Sequence, residues 1–308
     1  MCWSAELPLL GGGGEPVDLW RAIQSHGLVD LPPMRIDEEA RTLEITVPLP
    51  GSKPRTVLIG EGIPGNARIA VTGRAPGQRQ ADEIVAAVTH VLRLDEDLSG
   101  FYALAAEDSD LSWVTSGAGR LVRSPTVFEE VVKTICTTNV AWSATERMVG
   151  ALVEHLGESA AGAPDGPYGR AFPTPEAMAA VDEAFYRDVV RAGYHGAYLR
   201  SLAADVAAGA LDLEAFGQAD RDELPDDDLA SLLLALPGVG PYAAAHIMLL
   251  LGRYSRLVLD SWTRPKYAGL KGGKAVKDST IERHFRRYGP YAGLAFWLVL
   301  TRDWVPDA

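Results

Sequence analysis

Two features of this 308-residue chain could do chemistry, and both lie between Leu229 and Arg264. The first is the break Pro237-Gly238-Val239-Gly240-Pro241, set between apolar helical runs at 229–236 and 243–251. Proline ends the first run, and glycine admits backbone conformations that other residues resist. The second helix therefore starts abruptly. Its first N–H groups have no intrahelical partner, and the helix dipole stands behind them. Such an end suits a phosphate, and the small residues let a backbone approach closely. The ordinary alternative is a helical hairpin whose glycines serve only packing. The second feature is Asp260, which directly follows the apolar segment Leu257-Val258-Leu259 and opens Ser261-Trp262-Thr263-Arg264. An acid in that place also serves as a helix N-cap.

The elements that must position these residues are legible in outline. Residues 17–26 read as a short helix, and 34–36, 42–48, 55–60 and 67–73 as strands. Thr42-Leu43-Glu44-Ile45-Thr46-Val47 alternates with period two, as a half-buried strand does. Gly/Pro pairs separate these segments, as in an antiparallel sheet. Residues 80–94 then show helical spacing, with Ile84, Val85, Val88, Val91 and Leu92 on one face. From Pro125 onward helix dominates, in segments at 127–138, 143–157, 177–181, 185–192, 197–208, 226–236, 243–251, 279–288 and 291–301. The predicted organisation is a disordered lead-in at 1–15 ending in four glycines, an α+β domain at 16–118 and an all-α domain at 119–308.

Composition narrows the class. The hydrophobic fraction of 47% and charged fraction of 23% are those of an ordinary globular protein. No apolar run is long enough to span a bilayer, and the N-terminus lacks the basic start of a secretory signal. Cys2 and Cys136 are the only cysteines, which excludes a disulfide framework, a four-cysteine zinc site and an iron–sulfur cluster. A reducing cytoplasm is the expected compartment, at the nucleoid in a bacterium. The net charge of −12 argues against nucleic acid when taken alone. Its distribution does not. From Arg253 to Arg287 there are ten Lys or Arg against three Asp or Glu, a local +7 that leaves −19 for the remainder. This basic stretch follows the hairpin directly and suits phosphate contacts.

The order L-P-G-V-G-P-Y-A-A, apolar helix, L-D-S-W-T-R resembles the helix-hairpin-helix DNA glycosylases. Further stretches are similar in kind and order: F-E-E-V-V-K-T-I-C-T-T-N, A-F-P-T-P-E-A-M-A, A-G-Y-H-G-A-Y-L and R-Y-G-P-Y-A-G-L-A. The resemblance implies an α+β fold, with a small N-terminal antiparallel β-sheet domain followed by an all-α helix-hairpin-helix glycosylase domain. It implies a monomer that acts on double-stranded DNA containing a damaged base and turns that base out of the stack. Asp260 matches the family's catalytic aspartate, which stabilises positive charge developing on the sugar and helps activate water. Eighteen residues before it, Tyr242 stands where bifunctional members carry a lysine. A phenol forms no Schiff base, so hydrolysis without strand cleavage is expected, unless Lys266 or Lys271 reaches the site.

The same resemblance assigns other positions. Asn139 and Tyr194 match residues that fill the gap and wedge the stack, and His195 follows them as a phosphate contact. Helix capping, core packing and an ordinary surface position are the respective bland explanations. Gly238, Val239 and Gly240, with Arg264 and Lys266, would hold the DNA backbone. The main-chain carbonyls of Leu234, Leu236 and Val239 would hold a sodium or potassium ion; no other cofactor is expected. Tyr242, Trp142, Trp262 and Phe296 are candidates for the base pocket, with Trp297 beside them, although aromatics at helical spacing are more often core. The 8-oxoguanine branch has glutamine where Phe296 stands and phenylalanine where Leu300 stands. Aromatic surface in place of an edge reader favours an alkylated purine of the 3-methyladenine type. The competing readings are a noncatalytic lesion-sensing hairpin protein and an 8-oxoguanine glycosylase.

Overall fold

The structure is a computed structural model that describes residues 3–306. Five antiparallel strands form its sheet in the order β1-β5-β4-β3-β2: Ser4–Pro8 (β1), Met34–Asp37 (β2), Thr42–Leu49 (β3), Ser52–Glu61 (β4) and Asn66–Val71 (β5). The alternation in β3 points Leu43, Ile45 and Val47 inward, where they meet Val57, Ile59, Ile69 and Val71 of the neighbouring strands. Leu19–Ile23 (α1) and Gln78–Val91 (α2) cover that face, α2 through Ile84, Val88 and Val91.

The expected disordered lead-in is overturned within the described residues. Ser4 to Pro8 pair with Ala70 to Asn66 at the sheet edge. The glycines that follow are packed: a Cβ on Gly11 would overlap the Arg120 guanidinium, and one on Gly12 would press on the Asp95 carbonyl. Here glycine serves close approach, which four successive glycines do not distinguish from a flexible tether. Met1 and Cys2 lie outside the described residues.

The helical part comprises Ser99–Ala106 (α3), Val127–Cys136 (α4), Trp142–Leu156 (α5), Pro175–Ala179 (α6), His195–Ala207 (α7), Glu214–Gln218 (α8), Asp226–Leu234 (α9), Pro241–Leu250 (α10), Thr263–Leu270 (α11), Asp278–Phe285 (α12) and Ala292–Thr301 (α13). The α4 start is doubly capped. Thr126 accepts from the Glu129 N–H, and Glu214 accepts from the Val127 and Phe128 N–H groups. One core gathers α4, α5, α7, α9 and α10; a second joins α12 and α13 to Phe101, Tyr102, Leu111 and Val114. The helical packing therefore takes in residues from Leu98 onward, earlier than the expected boundary at 119.

The layers are tied by buried charge. Arg93, at positive φ after α2, donates to the carbonyls of Leu121 and Leu250, the latter the last residue of α10. Arg120 pairs with Glu15, and Tyr254 donates to Glu96 at 2.7 Å. No helix among the described residues is long and apolar enough to cross a membrane.

Candidate active site

The hairpin forms as its sequence demands. Three aspartates, Asp226 to Asp228, sit in the first turn of α9, where they complement the helix dipole. After α9, Gly238 turns the chain at φ +80, and an added Cβ there would also meet the Tyr198 ring at 2.7 Å. Val239 is buried, and its N–H donates to Leu236 O at 3.2 Å. Gly240 is the N-cap of α10, with extended backbone and open space where a side chain would stand. Pro241 occupies the first turn, and α10 is apolar nearly all round and buried from Ala243 to Leu250.

Asp260 begins α11. Its Oδ1 accepts the N–H groups of Trp262 at 2.8 Å and Thr263 at 2.6 Å. Thr263 Oγ1 in turn accepts the Asp260 N–H at 2.8 Å. Among the described residues Oδ2 has no hydrogen-bond partner, so one oxygen fixes the carboxylate and the other is left to act. Oδ1 is thus taken up by the turn, and Oδ2 is available to a further group. The negative charge is felt by Tyr242 and His246 on α10, whose ionisation it influences.

Tyr242 is half-buried, and its hydroxyl lies 3.2 Å from Thr137 Oγ1 and 3.3 Å from His246 Nδ1. Burial raises its phenol above the ordinary value. Burial likewise lowers His246 to about 4, with the Asp260 charge opposing. Beyond His246 lies an aromatic cluster. Trp297 stands 6.0 Å from the His246 ring, 5.8 Å from Trp262 and 6.0 Å from Trp304, and Trp262 is 5.6 Å from Trp304. Trp142, exposed at the start of α5, lies over Gly27 and lines a cavity of about 360 Å³ with Gln24, His26 and Trp304. Tyr242 and Trp262 are therefore brought together with Asp260, and Trp142 with the same cavity wall as Trp304.

Phe296 is not in this cluster. It is fully buried against Tyr267 and Phe285 in the second core. Its neighbour Trp297 instead faces His246, Trp262 and Trp304, because one residue along a helix rotates a side chain by about 100°.

The expected wedge pair is adjacent in space. Asn139 is exposed in left-handed conformation three residues after α4, and Tyr194 is 52% exposed at the start of α7. The Tyr194 hydroxyl reaches Thr138 O at 3.3 Å. His195 is neither a phosphate contact nor a surface residue. It is buried beneath Tyr194, stacked at 4.1 Å, with Nε2 at Thr138 O and Oγ1 and Nδ1 at Ala192 O. Its burial leaves it no surface for a phosphate, and it supports the Tyr194 ring from beneath.

Half of the ten basic residues in this stretch are paired with carboxylates of the protein itself. Arg253 is buried on Asp226, Arg256 pairs with Asp227, and Arg287 with Asp108. Arg264 makes a two-pronged contact with Asp278, both arms at 2.9 Å, and Lys266 holds Asp303 at 2.6 Å. The last two pairs are on the surface, where such a pair is worth about 0–1 kcal/mol, so a phosphate can exchange with the carboxylate.

Sequence reasoning missed His246, His26, Trp304 and Thr137. His246 had a signal, lying one helical turn from Tyr242; Trp304 and Thr137 had none.

No family model matches the chain. A protein of Methanothermobacter thermautotrophicus described as a probable N-glycosylase/DNA lyase is 26% identical over 269 residues, 77% of this chain and 82% of that one. The solved structure of MBOgg1 in complex with a low-affinity DNA ligand superposes with a TM-score of 0.73 at 16% identity, covering 98% of this chain and 96% of that one. The 3-methyladenine DNA-glycosylase of Archaeoglobus fulgidus gives 0.71 at 19% identity, over 99% and 100%. The fold is that of the helix-hairpin-helix DNA glycosylases, as the sequence resemblance implied.

Proposed function

We propose that this protein is a base-excision DNA glycosylase that extracts a damaged base and hydrolyses its N-glycosidic bond. The observation that carries this is the Asp260 carboxylate, fixed through Oδ1 and open at Oδ2, beside Tyr242 and an aromatic cluster. As the bond to the base lengthens, positive charge grows on the sugar, and Oδ2 is the anionic group to stabilise it and to orient water. Asn139 and Tyr194 occupy the space the base leaves. The N–H groups at the start of α10 take a phosphate of the same strand. The carbonyls of Leu234, Leu236 and Val239, at the end of α9 and in the turn after it, are hard oxygen donors that would hold an alkali cation, with Leu236 O also accepting the Val239 N–H.

Tyr242 supplies no amine, which supports hydrolysis by water alone. The relative's description as a lyase supports the opposite outcome for that relative. Aromatic walls from Trp262, Trp297 and Trp304 support an alkylated purine of the 3-methyladenine type, by attraction between a cationic base and ring faces. With Phe296 in the core, that preference rests on the tryptophans alone. Mass spectrometry of bases released from DNA carrying alkylated, oxidised or deaminated lesions tests the assignment. Release of an alkylated purine supports it, and release of none from any substrate refutes it.

A further inference from the structure

Two buried imidazoles, His26 and His246, stand with ring centroids 6.3 Å apart at 87°. Each keeps one nitrogen without a protein partner among the described residues: Nδ1 of His26 and Nε2 of His246. A buried polar atom left unmatched carries its full desolvation penalty and calls for an explanation.

The surrounding hydrogen bonds fix where the protons are. His26 Nε2 is 2.6 Å from Val122 O, and a carbonyl only accepts, so Nε2 carries the hydrogen and Nδ1 a lone pair. For His246 the chain is longer. Thr137 donates its hydroxyl proton to Thr134 O at 2.7 Å, so towards Tyr242 its oxygen accepts. Tyr242 therefore donates to Thr137, and its oxygen accepts the hydrogen on His246 Nδ1. His246 Nε2 is left with a lone pair. Burial keeps both rings uncharged near neutrality, lowering His26 to about 3 and His246 to about 4.

Two lone pairs cannot satisfy one another. They need a group that brings hydrogens and no competing acceptor. His26 lines the cavity under Trp142 and Trp304, and His246 lies between Tyr242 and Trp297. We propose that His26 and His246 read the exocyclic amino group of the purine drawn into this site, and reject the counterpart in which that amine is a carbonyl. This rests on the glycosylase reading for its ligand but makes a separate claim. The tryptophans hold any purine by its faces, whereas the histidines select on its edge. A carbonyl set against the same two lone pairs places acceptor against acceptor, which a site built to bond a donor penalises strongly.

Free bases test the reader without requiring turnover. Quenching of tryptophan fluorescence is titrated with 3-methyladenine and with 3-methylhypoxanthine, which differ at that amine. The wild type is expected to bind the amino base at least about tenfold tighter, as one well-made hydrogen bond allows. In His246→Phe and in His26→Phe the ratio should fall towards one. Equal binding of the two bases by wild type, or quenching by neither, overturns the proposal and leaves the pair bridged by internal water only. The wild-type ratio decides even where a variant does not fold. A parallel assay of base release from DNA separates the two claims. Amino preference in binding with no release from any DNA refutes the glycosylase reading and keeps the reader; release with no amino preference does the reverse.

Discussion

Asp260 and Thr263 hold each other reciprocally: the Asp260 N–H donates to Thr263 Oγ1 at 2.8 Å, and the Thr263 N–H to Asp260 Oδ1 at 2.6 Å. The pair sets the carboxylate's angle as firmly as a capping box sets a helix start. Asparagine can keep both amide bonds but carries no charge. Asp260→Asn should therefore retain the fold and damaged-DNA binding while base release falls by about 10²–10³-fold, the scale of losing one preorganised electrostatic group. Thr263→Ala keeps the charge and loosens it, and should show a smaller loss. Undiminished release by Asp260→Asn removes the residue from the chemistry.

Gly238 and Gly240 separate folding from binding. Gly238 sits at positive φ against Tyr198, so Gly238→Ala should destabilise the protein by roughly 1–3 kcal/mol in urea unfolding. Gly240 has room for a side chain and ordinary extended backbone. Gly240→Leu should leave the urea midpoint nearly unchanged yet weaken binding to every duplex alike, since phosphate contacts carry no sequence information. Wild-type affinity of the leucine variant for undamaged duplex would show the hairpin to be structural only.

Borohydride should trap no protein–DNA complex, while alkali still cuts the abasic sites formed. Tyr242 has no amine, and Lys266 is held by Asp303 at the residue before Trp304. Efficient trapping that disappears in Lys266→Gln would make that lysine the nucleophile and overturn hydrolysis by water.

Acid should destabilise the protein before its surface carboxylates titrate. His26, His90 and His246 are lowered by burial from an ordinary 6.5 to about 3, 4 and 4. Between about pH 6.5 and 4 the unfolded chain binds protons that the fold refuses, so this stability is present above 6.5 and is lost as pH falls. Glu130 acts in the opposite sense. Burial pushes its carboxyl up to about 7, which favours the fold at low pH and loses that contribution as pH rises. Glu129 is raised by burial as well, so three imidazoles stand against two carboxyls, and the imidazoles set the expected sign. The urea midpoint should drop between pH 7 and pH 5, and drop less in His90→Gln. A midpoint that is flat or rising towards acid contradicts this.

The legible parts of the chain were those where one local pattern decides the outcome. Strands β2 to β5 each bury one face and alternate accordingly, and α10 is helical because little in it is polar. Strand β1 is an edge strand with a half-buried face, and glycine beside it reads equally as tether and as close packing. Helix α11 was missed because Arg264, Pro265 and Lys266 give it no apolar stripe; the turn leading into it is held by Asp260 Oδ1, which accepts from the Trp262 and Thr263 N–H groups. The order and spacing of Asp260 and Tyr242 mark them as a pair, and the fold brings the Asp260 charge to bear on Tyr242. His26 was not legible, since its role depends on a contact with His246 across the length of the chain. Phe296 and Trp297 show the limit of helical spacing: adjacent aromatics divide between the core and the tryptophan cluster by rotation alone.

The Arg93 bond to the Leu250 carbonyl bears on how the molecule could be dissected. The closing turn of α10 is completed by a cation delivered from beyond α2, and the Arg120 guanidinium is neutralised by Glu15, upstream of α1. A fragment starting near residue 119 would carry Asp260, Tyr242 and the hairpin, yet its α10 would end in an open carbonyl and its buried Arg120 would lack a counter-charge. The sheet is thus no detachable handle. Grafting the helical half onto another scaffold would have to supply both the Arg93 cation and the Glu15 carboxylate, and a split between the layers should yield two insoluble halves where a cut in the exposed 161–168 loop yields a complementing pair.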